Sequence, residues 1–326
     1  MVTSILADGL SRRGFLAAGA AAGAGLAATA SGAHASVQTG SADAAFAPFN
    51  PSDPAANVRA MARLAGDVEP GQTGRVRYVG RAFGYAPGEP IRPLYGIDGL
   101  GSTRIEMQED GSARFLFSEF AVYTDLETGE PLTEWTNPFT GRTVPVWHQR
   151  NGPVNFTLRP DMNAFGAFQA TESAPAFRLP WRIENGKATF ALDVVSTRPN
   201  PLSVEEWPLE SSGPEMHVSE HSAYVVEPEL LADQSVTSLP FNAALQSLKP
   251  WHPWMLMGQR PGRVFARLNA TKVAGLSGID PRAAAFAREN LADFIEAPES
   301  WTGAYNAAHG IYAATMSPAA PAGDGE

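Results

Sequence analysis

Two stretches of this chain place ionisable side chains where strand sequence should be apolar, and a third spaces two histidines around a carboxylate. Across residues 112–123 the odd positions Ala113, Phe115, Phe117, Ala121 and Tyr123 are largely apolar, and Glu119 shares their face. Burial disfavours the ionised carboxyl and raises its pKa, which suits a general acid or base near neutral pH. The other face, with Leu116, Phe120 and Val122, is apolar as well. The alternative for Glu119 is a structural ion pair with Arg114 or Arg104. Lys272 ends a similar alternation in Arg263–Val273, and there the alternative is a strand-end lysine whose stem covers apolar surface.

His217-Val218-Ser219-Glu220-His221 fits the pattern H-x-x-E-H, in which a helix sets both imidazoles and the carboxylate on one face around zinc. The pattern depends on the helix. Positions four apart rise about 6 Å along a helix but about 13 Å along a strand, too far for one shared ion. The flanks Met216, Val218, Tyr224, Val225 and Val226 follow Gly213-Pro214 and favour a strand, in which His217, Ser219 and His221 face the same way. That face can line a ligand cavity, and either histidine can join a metal site completed by other strands. His148 shares a face with Val144 and Val146 beside Trp147, and serves either proton transfer or the core. Tyr123 and Arg260 are candidates to stabilise developing negative charge. Trp135, Trp147 and Trp254, together with Asn155, are candidates to line a ligand cavity, with plain core packing as the alternative for the indoles.

Composition excludes more than it assigns. The chain has no cysteine, which removes disulfides, thiolate zinc, iron–sulfur clusters, c-type haem, blue copper and any cysteine nucleophile. A net charge of −10 argues against a nucleic-acid partner held by phosphate neutralisation. G-x-S-x-G, Walker, H-E-x-x-H and EF-hand patterns are absent, and Gly99-Leu100-Gly101 lacks the third glycine of a dinucleotide fingerprint.

The elements that must position these groups begin after an export signal. Arg12-Arg13-Gly14-Phe15-Leu16, a weakly apolar Ala/Gly stretch and Ala33-His34-Ala35 predict a twin-arginine signal over residues 1–35 with the mature chain starting at Ser36. The expected partner is the twin-arginine translocase, and the expected location is the periplasm or outside the cell. Losing Arg12, Arg13 and Asp8 removes one net positive charge, taking −10 to −11. No later segment is apolar enough to span a membrane as a helix. Residues 36–52 read as a flexible leader, 53–316 as one β-rich domain and 317–326 as a disordered tail.

Asp53-Pro54 predicts a helix start, and Asp280-Pro281 caps a second helix reaching to about 296. Between them, period-two patterning with turn residues every 8–15 positions predicts antiparallel strands. Hairpins are expected at Glu109-Asp110-Gly111, Asn137 to Gly141 and Glu184-Asn185-Gly186. Further strands are expected over 215–226 and 263–273, separated by a polar, proline-punctuated stretch. Hairpins without crossover helices exclude a doubly wound parallel sheet. The expected fold is mainly β: a large antiparallel sheet closed into a calycin-like barrel, with a short N-terminal and a C-terminal helix. A β-sandwich is the alternative.

The run Tyr123-Thr124-Asp125-Leu126-Glu127-Thr128-Gly129-Glu130, then Trp135 to Gly141, Val146-Trp147-His148 and Pro153-Val154-Asn155-Phe156, resembles an uncharacterised family of exported bacterial proteins, domain of unknown function 1838. Pro253 to Gly262 is similar to that family's second recurring stretch. The resemblance covers roughly residues 55–310 and implies a shared fold and export habit, but no reaction. Function is therefore expected from the side chains alone. One expectation is a cofactor-independent lyase, isomerase or hydrolase working on a small hydrophobic or aromatic molecule. Its acid/base groups would be Glu119 with His148, His217 or His221. The alternatives are a non-catalytic binding protein with the same cavity, and a metal-dependent enzyme using His217 and His221.

Overall fold

The computed structural model describes residues 49–161 and 176–320. The export signal and nearly all of the leader, and residues 321–326 of the tail, lie outside them. In chain order the elements are α1 (Pro54–Ala65), β1 (Thr73–Tyr85), β2 (Arg92–Met107), β3 (Ala113–Thr124), β4 (Glu134–Thr136), β5 (Thr143–Pro145), β6 (Gln149–Leu158), β7 (Arg182–Glu184), β8 (Lys187–Pro199), β9 (Glu215–Val226), α2 (Pro228–Ala232), β10 (Asn242–Lys249), β11 (Arg263–Val273), α3 (Pro281–Asn290) and α4 (Ala308–Thr315).

Nine strands form one antiparallel sheet in the order β6-β3-β2-β1-β11-β10-β9-β8-β7, while β4 and β5 make a separate hairpin. The turns form where their residues demand. Asn185 and Gly186, both at positive φ (52° and 70°), join β7 to β8, the backbone that a two-residue hairpin loop requires. Asp53 caps α1 through Ala55 N–H, and Asp280 caps α3 through Arg282 N–H.

The expected barrel does not close. β6 and β7 are opposite edges of the order, so the sheet curls into a half-barrel, closer to the sandwich alternative. Closure is unnecessary because the long edge is satisfied in another way. The segment before α4 pairs along β6: Gly152 N–H donates to Asn306 O (2.9 Å), Asn155 N–H to Ala304 O (2.8 Å) and Asn306 N–H to Pro153 O (3.1 Å). At the other edge β7 is three exposed residues long, too short to template further pairing.

Most of the core lies on the concave face. Phe115, Phe117, Ala121 and Tyr123 of β3 join Tyr78, Tyr95, Phe190, Tyr224, Leu245 and Leu268 there. The two apolar faces of β3 have a simple cause: Leu100, Phe120 and Val122 point outward into a second small core with Ile279, Ala283, Ala284, Ala287 and Leu291, carried by α3 and its flanks. The α3 helix ends at Asn290 and a short 3-10 turn, Ala292–Phe294, follows, so the helix predicted to 296 is shorter than expected. No helix among the described residues is long and apolar enough to cross a membrane.

Candidate functional site

The curl brings β3 and β6 opposite β8 and β9, and the Pro250–Trp254 turn and the Tyr305–Tyr312 segment close the gap between them. The resulting cavity has about 90 Å³ of free volume, several times the roughly 10–15 Å³ that one water needs on that measure. Glu119, Tyr123, Trp147 and Trp254 all line it. Four of the expected site residues therefore converge.

Glu119 is 3% exposed. Its Oε1 accepts from Gln149 Nε2 (2.8 Å) and Asn151 Nδ2, both on β6, and Tyr78 Oη lies 3.4 Å from Oε2. No arginine pairs with it among the described residues. Arg114 binds Glu106 instead, and Arg104 reaches Glu299 O, so the ion pair considered for Glu119 does not form. Burial pushes its pKa up to about 7, against the pull of the Lys249 ammonium and the two amide donors. Burial also raises the Tyr123 hydroxyl, and the field of the Glu119 carboxyl adds to the effect. Tyr123 is thus a proton-bearing donor throughout the physiological range, lining the same cavity as a carboxyl balanced between its two states.

The opposite wall holds charges that sequence reasoning missed. Glu220, 7% exposed, bonds Lys249 at 2.8 Å. Arg198 on β8 and the half-buried rings of His252 and His309 complete it. Burial, with the Lys249 cation nearby, lowers His252 to about 3; burial, with Arg198, His252 and Lys249, lowers His309 to about 3. Both rings are neutral at pH 7. Glu220 gave the same signal as Glu119, a carboxylate among Met216, Val218, Tyr224 and Val226 on an apolar strand face. The H-x-x-E-H pattern drew attention to its neighbours instead.

His217 and His221 lie on the other side of the sheet. The motif is strand, β9, and alternation turns Glu220 inward and His217, Ser219 and His221 outward. His217 Nδ1 is 2.9 Å from Thr197 Oγ1. His221 joins Ser219 (Oγ to Nε2, 2.6 Å) and Asp193 (Nδ1 to Oδ1, 2.6 Å) above a shallow open groove. That chain has the connectivity of a serine triad, but β9 is paired on both sides, so its backbone N–H groups are committed to the ladder and leave no oxyanion hole. Among the described residues no three His, Asp or Glu side chains converge as a metal site requires.

The other expected residues are held in structure. His148 is 3% exposed, and Tyr123 N–H donates to its Nδ1 (2.9 Å). Its Nε2 therefore carries the proton toward Leu132 O (3.0 Å). Burial lowers its pKa to about 4. With both nitrogens committed, it latches the β3–β4 connection and takes no part in the cavity. Arg260 binds Phe139 O (2.9 Å) and Glu89. Trp135 packs on Trp254 and bonds Leu94 O (3.2 Å). Asn155 Oδ1 takes Thr302 N–H (2.7 Å) and Gly303 N–H (3.0 Å), fixing the loop along β6. Lys272 caps Gly66 O at 2.6 Å; burial lowers its pKa to about 7.

Residues 71–314 match the family described as Protein of unknown function (DUF1838). The chain belongs to that family. No curated protein matches it. Every residue lining the cavity falls within the matched span.

Proposed function

We propose that the concave cavity is an active site in which Glu119 exchanges a proton with a small, largely aromatic or hydrophobic molecule, as a lyase, isomerase or hydrolase would require. One observation carries this reading: a carboxyl balanced near pH 7 opens on a cavity walled by Tyr123, Trp147, Trp254 and Tyr312. A group whose pKa matches the working pH is both present as base and regenerated as acid. Tyr123, whose hydroxyl stays protonated, is placed to donate to the oxyanion or enolate that proton removal creates. His252 and His309, held neutral by burial and the nearby cations, offer hydrogen bonds from the far side without taking up a proton. The twin-arginine reading of residues 1–35 would put this chemistry in the periplasm or outside the cell.

The test is proton exchange at carbon. The protein is incubated in heavy water with a panel of small aryl ketones and aryl-substituted acids, and deuterium incorporation is followed by NMR. Glu119→Gln keeps the size and hydrogen-bonding capacity of the side chain. Loss of exchange with binding retained, read from the fluorescence of the cavity tryptophans, supports catalysis. Binding without exchange by the natural protein assigns the cavity to carriage instead.

A further inference from the structure

Arg198 stands out because nothing neutralises it. It lines the cavity on β8 and is half-buried, yet among the described residues no carboxylate pairs with it, although ten ion pairs of lysine or arginine form among them. Its Nε is buried with no hydrogen-bond partner. The nearby Glu220 is already engaged by Lys249 at 2.8 Å. Trp254 Nε1, on the same cavity, is a second buried donor without a partner. A buried donor left without a partner, on a cation without a counter-charge, costs stability. Such a cost is retained where a ligand repays it.

From this we infer that the substrate is an aromatic monocarboxylate, with its carboxylate held by the Arg198 guanidinium and its ring against Tyr123 and Trp254. The inference rests on the acid/base reading of the cavity and names the substrate class for it. A monoanion matches because, with Glu119 in its protonated state, one charge is uncompensated: Lys249 and Glu220 cancel each other, and His252 and His309 are neutral. A carboxylate matches because the planar fork of a guanidinium takes two parallel oxygens. The ends are also set apart. Glu119 on β3 and Arg198 on β8 line opposite walls of the cavity, and the Tyr305 hydroxyl, which accepts a hydrogen bond from Arg198, belongs to the Arg198 side. A carboxylate anchored at Arg198 therefore leaves the body of the molecule directed toward Glu119.

The experiment is a tryptophan-fluorescence titration of the full mature protein with benzoate, phenylacetate and cinnamate, each against its neutral amide. A charged hydrogen bond of this kind predicts that each acid binds about tenfold or more tightly than its amide. Arg198→Met should abolish that ratio by weakening the acid and leaving the amide unchanged, and Arg198→Lys should keep part of it. Arg198→Met should also melt at the same temperature as the parent or higher, because an uncompensated cation has gone; a structural arginine would instead lower it. Equal affinity for acid and amide, or a ratio that survives Arg198→Met, overturns the inference and leaves the acid/base reading standing. If neither acids nor amides bind, the aromatic-cavity reading fails and this inference with it.

Discussion

Replacing Glu119 by glutamine should change how stability depends on pH, in a direction and size the structure fixes. The carboxyl moves from an ordinary 4.5 to about 7 in the fold. The folded protein therefore holds this proton more tightly than the unfolded chain does. Its contribution is most favourable below pH 4.5, is lost as pH rises through the interval to 7, and is wholly lost above it. The shift corresponds to about 3 kcal/mol, of which about 1 is already lost at pH 5 and nearly all at pH 8. Glutamine has nothing to titrate. It can keep Gln149 and Asn151 on its oxygen and turn its amide toward Tyr78 Oη, whose own proton goes to Phe120 O at 2.8 Å. Urea unfolding of both proteins at pH 5 and pH 8 should therefore show glutamine gaining on glutamate by about 2.5 kcal/mol, or about 5–10 °C in Tm for a domain of this size. His148, His252 and His309, with lowered pKa values, cost stability as pH falls below 6.5. They do so equally in both proteins, so the difference isolates Glu119. A gap that stays constant from pH 5 to 8 would mean that Glu119 is fully ionised at neutrality, with Lys249 as an effective counter-ion, and the proposed acid/base group would not exist.

Two further substitutions separate structure from site. His148→Ala leaves Tyr123 N–H and Leu132 O unpaired in the core, so urea unfolding should show a loss of about 2–4 kcal/mol, with the ligand preferences of the surviving fold unchanged. His221→Ala removes an exposed side chain from the outer face; stability should stay within about 0.5 kcal/mol, and deuterium exchange at the cavity should be unaffected. A strong effect of His221→Ala on exchange would return the H-x-x-E-H segment to the site.

The sequence reading found those elements whose two faces differ in polarity. Strands β9 and β11 have the predicted bounds because alternation in each is clean. Strand β10 was passed over as part of a polar stretch. It places Ala243, Leu245 and Ser247 inward and Ala244, Gln246 and Leu248 outward, so both faces mix apolar and polar residues and no period emerges. Helix α4 escaped for a related reason: it has no side-chain cap and carries Gly310 in its interior. Barrel closure was expected because edges need partners, yet the partner of β6 is an irregular segment around Tyr305 that has no strand pattern to detect. The site followed the same division. Glu119 was legible because a charge interrupts an apolar face. Arg198 and His309 were not, because β8 ends and α4 begins in sequence with no dominant face.

The open sheet and the character of Glu119 are connected by one side chain. Asn151 sits on β6, the edge covered by the C-terminal segment, and its Oδ1 accepts Ala308 N–H (2.6 Å), the first residue of α4. Its Nδ2 donates to Glu119 Oε1. An amide that uses both ends is held in one orientation, so docking α4 fixes which face of Asn151 the carboxyl meets. The same docking delivers Tyr305, His309 and Tyr312 to the cavity and excludes the water that would otherwise solvate the carboxylate. These two effects oppose each other: desolvation raises the Glu119 pKa, and the Asn151 donor lowers it. A closed barrel would bury such a group with ladder hydrogen bonds alone and leave little to adjust. A half-barrel sealed by a separate segment lets the strength of the seal set where the carboxyl titrates, which is the property the proposed acid/base role needs to hold near neutrality.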